Sequence, residues 1–426
     1  MPRTACVLLV GLGSCFLGAT YPVSADEPLT LDDAVALAQQ DAPQLMARQA
    51  AVDAAGALVL SAGRLPDPQL VVGVDNLPVT GADSGSFTRD FMTTRKIGVM
   101  QGLPRAGKRR LEHSRAQAEA DFASAELVAT RLDVAREAAQ AWMRRATALA
   151  ALDRLRSLES EVALGAAAAR GAVASGRGSS ADALAAEAAV ARLRNRQLQM
   201  QGEARQAQAE LARWIGEQAQ RPPAPVPSLD QLPTPAETLL TTTHLHGTIL
   251  PFDAKLAEAR TDVALARAER RPDWSTEISF AKRGPDFSDM ASLQFTIELP
   301  IFARMRQNPV IAARSADVRR IEAERQAEIR MHGAELHEML ISWQQLGEQL
   351  AQYEQELLPL ARERSQVSLA AYRAGRADLR LSLDAFEDEV NLFIDQATLQ
   401  NERGQAWAFL RYLEPQHVRT PGGDRS

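Results

Sequence analysis

Two groups of residues could do chemistry on type and spacing alone. Gly102-Leu103-Pro104-Arg105-Ala106-Gly107-Lys108-Arg109 nearly spells a phosphate-binding loop between a strand-like and a helix-like stretch. Arg109 stands where such a loop needs Ser or Thr for magnesium, and Pro104 removes a backbone donor from the cradle. The run therefore reads as a turn leading from a strand into a helix. The second group is Met331, His332, Glu335, His337 and Met339. His332 and Glu335, three apart, share a helix face, but His332 and His337 point in different directions and no His-Glu-x-x-His is present. This cluster reads as a solvated helix surface, and His244 and His246 near a proline-rich stretch read as surface residues too. Neither a Gly-x-Ser-x-Gly nor an ordered Ser-His-Asp set is visible. The expectation is a protein that is not an enzyme and carries no cofactor and no metal.

Composition narrows the elements that could position any site. The 426 residues carry a net charge of -6, which argues against a general nucleic-acid binder. Aromatics are only 5%, and much of the 46% hydrophobic content is alanine, a helix former that buries little area. Long, thin helical contacts are favoured over a bulky core. Residues 1–25 resemble a signal peptide, with Arg3, an apolar run from Ala5 to Ala19, and Val23-Ser24-Ala25 at the cleavage position. Leu12-Gly13-Ser14-Cys15 offers the rival of lipid attachment at Cys15; either route exports the chain. Cleavage behind Ala25 removes both cysteines, Cys6 and Cys15, and with them disulfides and thiolate metal sites. Beyond the signal, no window approaches the ~20 apolar residues of a spanning helix.

The rest of the chain is written twice. A first repeat over 26–220 and a second over 236–414 flank a stiff linker, 221–235, that begins Arg221-Pro222-Pro223-Ala224-Pro225-Val226-Pro227. A tail, 415–426, is expected to be disordered. Pro66-Asp67 recurs as Pro272-Asp273, Leu103-Pro104 as Leu299-Pro300, and Ser175-Gly176-Arg177 as Ala374-Gly375-Arg376. Each repeat opens helically, over Asp32 to Arg64 and Asp253 to Arg271, and then turns extended. Hairpins are expected at about 68–102 and 273–300. In the second, Trp274, Thr276, Ile278 and Phe280 alternate with Ser275, Glu277 and Ser279; Leu293, Phe295, Ile297 and Leu299 alternate with Gln294, Thr296 and Glu298. Strands of this length, apolar on one side and polar on the other, suit a transmembrane hairpin, although a soluble half-buried hairpin shares the pattern.

The segment behind each hairpin shifts the balance. Long helical hairpins are expected at about 105–216 and 305–413. No proline interrupts Gly107 to Ser175, which predicts a helix on the order of 100 Å long. In the second copy Leu336, Leu340, Trp343, Leu346, Leu350, Tyr353 and Leu357 step by three or four, the rhythm of a coiled-coil seam. Such hairpins must be rods or parts of a wall. Four strands cannot close a barrel, and open edges are not viable in lipid, so if the strands span a membrane several chains must pool them.

With these elements in place, the chain resembles a known family, the TolC-type outer-membrane efflux factors. The resemblance rests on the duplicated order of elements, on Leu103-Pro104-Arg105-Ala106-Gly107-Lys108-Arg109 and Leu299-Pro300-Ile301-Phe302 at the strand-to-helix junctions, and on the glycine turns. Leu299 to Pro309 looks most like the branch serving heavy-metal pumps of the resistance-nodulation-division class. The resemblance implies a mainly α fold with membrane β-hairpins, in which a homotrimer builds a 12-stranded β-barrel on a long periplasmic α-barrel. It implies a passive outer-membrane duct of a tripartite efflux system, reaching into the periplasm and exporting heavy-metal cations. The implied partners are a periplasmic adaptor, an inner-membrane pump and outer-membrane lipid, with no nucleic acid. By the same resemblance Gly176, Arg177, Gly375 and Arg376 are adaptor-contact tips, and Asp182, Asp378 and Asp384 belong to the periplasmic aperture. The pattern is incomplete, because Leu381 occupies one expected aspartate offset. Helix capping and exposed helix aspartates are the plainer readings of the same residues. The alternative function is a soluble periplasmic coiled-coil structural or adaptor protein.

Overall fold

A computed structural model describes residues 27–415. The signal segment, Cys15 and all but the first residue of the tail lie outside them. Two short helices, α1 (Leu31–Asp41) and α2 (Pro43–Ser61), open the chain. Thr30 and Asp33 cap α1 reciprocally, each side chain bonding the other's backbone N–H. The expected single helix over Asp32 to Arg64 is thus broken at Ala42, whose extended backbone is what a residue before proline prefers. Strands β1 (Gln69–Asp75) and β2 (Thr94–Leu103) come next, then α3 (Ala106–Ala174) and α4 (Ser180–Ile215). The second half repeats this order. After the six-residue α5 (Ala236–Thr241) come α6 (Leu250–Ala268), β3 (Trp274–Lys282), β4 (Met290–Ile297), α7 (Gln307–Gln352), α8 (Leu358–Arg373) and α9 (Leu379–Arg411).

The 69 residues of α3 form one unbroken helix. Its counterpart is the pair α7 and α8, joined by a π-helical turn over Tyr353–Leu357. Pro359 lies just beyond that turn and has no N–H to donate backward, so the widened turn lets the rod continue past it. No described helix is long and apolar enough to cross a membrane.

The four strands form one antiparallel sheet in the order β1-β2-β3-β4. The central β2–β3 pairing joins the two halves of the chain, with Val99 opposite Ile278 and Leu103 opposite Trp274. The outer edges of β1 and β4 pair with nothing among the described residues.

The main core lies midway down the rods, where α1, α3, α4 and α9 converge around Trp142, Met143, Leu211, Trp214 and Trp407. Alanines 135, 138, 139 and 141 of α3 are buried there, letting helices approach closely. The 221–235 segment is strapped over this core by indole donors: Trp343 Nε1 to Leu229 O and Trp407 Nε1 to Gln231 O, each 2.9 Å. Trp142 Nε1 holds Leu29 O at 2.9 Å, and the buried Arg145 guanidinium donates to Arg221 O at 2.7 Å. Burial without a carboxylate lowers the Arg145 pKa, and carbonyl acceptors satisfy its donors instead.

Candidate functional site

Two regions could serve a conduit: the sheet faces and the helix tips. Side chains alternate across each strand, so register sorts them by face. One face carries the rows Leu70–Val99–Ile278–Leu293 and Val72–Ile97–Phe280–Ala291, with Leu103–Trp274–Ile297 at the helical end. Most of these large apolar side chains are exposed, including Leu70, Val72, Ile278 and Leu293. The other face carries Gln69–Met100–Glu277–Gln294 and Val71–Gly98–Ser279–Ser292. An apolar face with Trp274 at one rim, backed by a polar one, is the pattern of a strand between lipid and a water-filled bore.

The polar face contains a built charge pair. Lys96 Nζ lies 3.0 Å from Glu277 Oε1, although the two residues stand in different cross-strand rows. Gly98 and Ser279, paired between them, leave the room for that diagonal. A Cβ on Gly98 would lie 2.6 Å from Ser279 Cβ.

The loop-like run at the strand-to-helix junction has a structural use. Lys108 Nζ bonds Asp273 Oδ2 at 2.9 Å, and the Arg105 N–H donates to Asp273 Oδ1 at 3.2 Å. The lysine and a backbone donor of the phosphate-loop look-alike are thus occupied by the aspartate that precedes β3.

At the far ends of the rods, α3 and α8 stop at left-handed glycines, Gly176 (φ 71°) and Gly375 (φ 68°). The Arg177 N–H reaches back to Ala172 O and the Gly176 N–H to Val173 O; Arg376 to Ala371 O and Gly375 to Tyr372 O repeat this. Both are Schellman turns, and nothing lies within 4 Å of a Cβ at either glycine, so conformation alone asks for glycine. Arg177 and Arg376 are exposed at the turns. Asp182 lies half-buried in the first turn of α4, and its charge, after burial, helps raise the pKa of Tyr372 on α8. Asp378 is the extended N-cap residue of α9, without a side-chain capping bond. Exposed Asp384 faces Arg380 at 3.9 Å. The two tips share a small core of Ala166, Ala169, Ala186 and Leu379, so the seven residues form two adjoining sets. Deeper along α9 Glu389 is 1% exposed, and Arg362 Nε stands 3.8 Å from its carboxylate.

The histidines correct the sequence reading. His332 and His246 are not surface residues: they are 2% and 0% exposed, and His246 Nδ1 lies 2.8 Å from His332 Nε2. The Gly247 N–H bonds Leu413 O, and a Cβ at Gly247 would strike Leu132 of α3, so the loop carrying His246 is seated between α3, α7 and the end of α9. Burial pushes the His246 pKa down to about 4, helped by His332 and His244 and opposed by Glu414. Burial likewise lowers His332, with Glu335 opposing and Arg136 assisting. One signal was available: moving back four residues along the seam from Leu336 lands on His332. No group of three or more His, Cys, Asp or Glu among the described residues is arranged to hold a metal ion.

Residues 34–217 match the family model described as Outer membrane efflux protein. No curated protein matches the chain by sequence. Solved structures do match in fold. The outer-membrane channel OprN is 19% identical with a TM-score of 0.76, over 90% of this chain and 89% of that one. CusC, whose crystal structures address folding and transmembrane channel formation, is 17% identical with a TM-score of 0.76, over 90% and 92%. The outer membrane protein VceC of Vibrio cholerae is 20% identical with a TM-score of 0.75, over 90% and 96%.

Proposed function

We propose that this chain is an outer-membrane efflux channel protein and not an enzyme, and that three copies close into one passive duct: residues 34–217 match the outer membrane efflux protein model, and the second half repeats the same order of elements. The observation that carries the trimer is the four-stranded sheet with bare edges at β1 and β4. Unpaired backbone groups are not viable in lipid, so the edge strands of neighbouring copies pair, and three sheets give twelve strands. The polar rows around Lys96 and Glu277 then line the bore, while α3, α4 and α7–α9 continue it into the periplasm.

The partners in this reading are a periplasmic adaptor, meeting Gly176, Arg177, Gly375 and Arg376 at the rod ends, and a resistance-nodulation-division pump in the inner membrane. The cargo is heavy-metal cations. Asp182, Asp378 and Asp384 form the periplasmic aperture, where a ring of carboxylates favours cations. Energy comes from the pump, and adaptor binding shifts the tips toward an open state.

The test is the mass of the detergent-solubilised protein together with cysteine pairs placed on the bore-facing sides of β1 and β4. Disulfide-linked trimers that conduct in planar bilayers support the duct. A water-soluble monomer, or pairs that never cross-link, overturns it.

A further inference from the structure

On the lipid-facing side of the sheet, the last row before the loops is unlike the others. Arg95 of β2 stands directly opposite Lys282 of β3, next to Val74 of β1. Both obey the alternation that places Ile97, Val99, Ile278 and Phe280 outward, and both are exposed. Two like charges directly opposite each other on one face repel and destabilise a sheet. Neither cation forms an ion pair among the described residues; Arg95 Nη2 donates only to the Arg283 carbonyl, at 3.1 Å.

The height of this row is informative. From Trp274, at the helical end, to Lys282 is eight residue steps, roughly 26 Å along the strand at ~3.3 Å each. With barrel strands tilted by about 40°, that is a rise of roughly 20 Å, most of an outer apolar band about 25 Å tall. The pair therefore lies at the band's far rim, on the side away from the periplasmic helices. Because β2 and β3 are the central strands, a neighbouring copy joining at β1 or β4 does not cover them.

We propose that Arg95 and Lys282 together form a binding site for a phosphate group of the phosphorylated glycolipid in the outer leaflet, one site per copy. The inference rests on the orientation given by the duct reading. A phosphate oxygen set between a guanidinium and an ammonium converts the cross-strand repulsion into two charge-assisted contacts. Its acyl chains run down the apolar rows beginning with Ile97 and Phe280. The chemistry is that of any phosphate; the position, at the rim of the apolar band, selects one carried on a lipid.

The experiment places the full trimer in phosphatidylcholine nanodiscs doped with bisphosphorylated lipid A and counts retained lipid by native mass spectrometry. Planar-bilayer conductance is recorded for the same preparations. Wild-type protein retains lipid A, and Arg95→Gln/Lys282→Gln loses roughly 30-fold in apparent affinity, each cation near a charged lipid surface contributing about a factor of five. Arg95→Lys/Lys282→Arg restores retention. Lipid A stripped of its phosphates is not retained, and millimolar inorganic phosphate does not displace the intact lipid.

Equal retention by wild type and the glutamine variant, with conductance intact, overturns the site and leaves the duct standing. Displacement by inorganic phosphate overturns the glycolipid as the occupant. Absence of conductance from every preparation overturns the duct reading, and the site falls with it.

Discussion

The buried histidine pair allows one prediction to be worked through. His246 has a folded-state pKa of about 4 against an ordinary 6.5, because its ring is fully buried beside His332. A depressed folded value means that the stability it contributes is fully present above 6.5. It is lost as the pH falls toward 4, because the opened loop takes up a proton that the closed loop refuses. At ~1.4 kcal/mol per tenfold step, the gap corresponds to roughly 3 kcal/mol, and His332 acts in the same direction.

The seat of that energy is local, so the assay is hydrogen–deuterium exchange across 242–250. It reads the Gly247 N–H bonded to Leu413 O and the Ile249 N–H bonded to His246 O. After correction for the intrinsic pH dependence of exchange, protection of this segment falls on the order of 100-fold between pH 7 and 4. His246→Asn keeps a donor for His332 but does not titrate, and its residual slope is the smaller one left by His332. Parallel pH slopes in wild type and variant would refute the reasoning.

Three further outcomes come from the geometry. Gly98→Val drives side-chain atoms into Ser279 and removes heat-resistant trimer from the outer-membrane fraction; trimer at wild-type abundance would contradict the close approach. Burial raises the Glu389 pKa, with Glu161 adding to it and Ser365 and Arg362 opposing. For a carboxyl with a raised folded value, stability is full below the unfolded pKa and lost as the pH rises through the folded one. Glu389→Gln therefore slows limited proteolysis of the α8–α9 tip at pH 8, by about 1–2 kcal/mol of local stability, and changes nothing at pH 4. Asp384→Ala raises conductance or lowers cation preference in planar bilayers; unchanged values would remove Asp384 from the gate.

Much of this architecture is carried by patterns with short periods. β3 is legible because Trp274, Thr276, Ile278 and Phe280 alternate with Ser275, Glu277 and Ser279, and the long α3 because no proline enters it. The duplication is legible because Pro-Asp, Leu-Pro and the Gly-Arg tips recur in order. Such signals are local: steric preference and burial on one face act on residues two to four apart.

Only the tertiary structure decided the meetings between distant segments. The sequence contains His246 and His332, but no periodicity says that a loop 86 residues upstream will bury one ring against the other. The same holds for Lys108 with Asp273, a clamp that a motif search misreads as half a phosphate loop, and for the register that sets Arg95 against Lys282. Side-chain identity determines what each residue can do. Which partner it meets depends on the register of β2 on β3 and the seating of loops on the rods, fixed by the packing of both repeats at once.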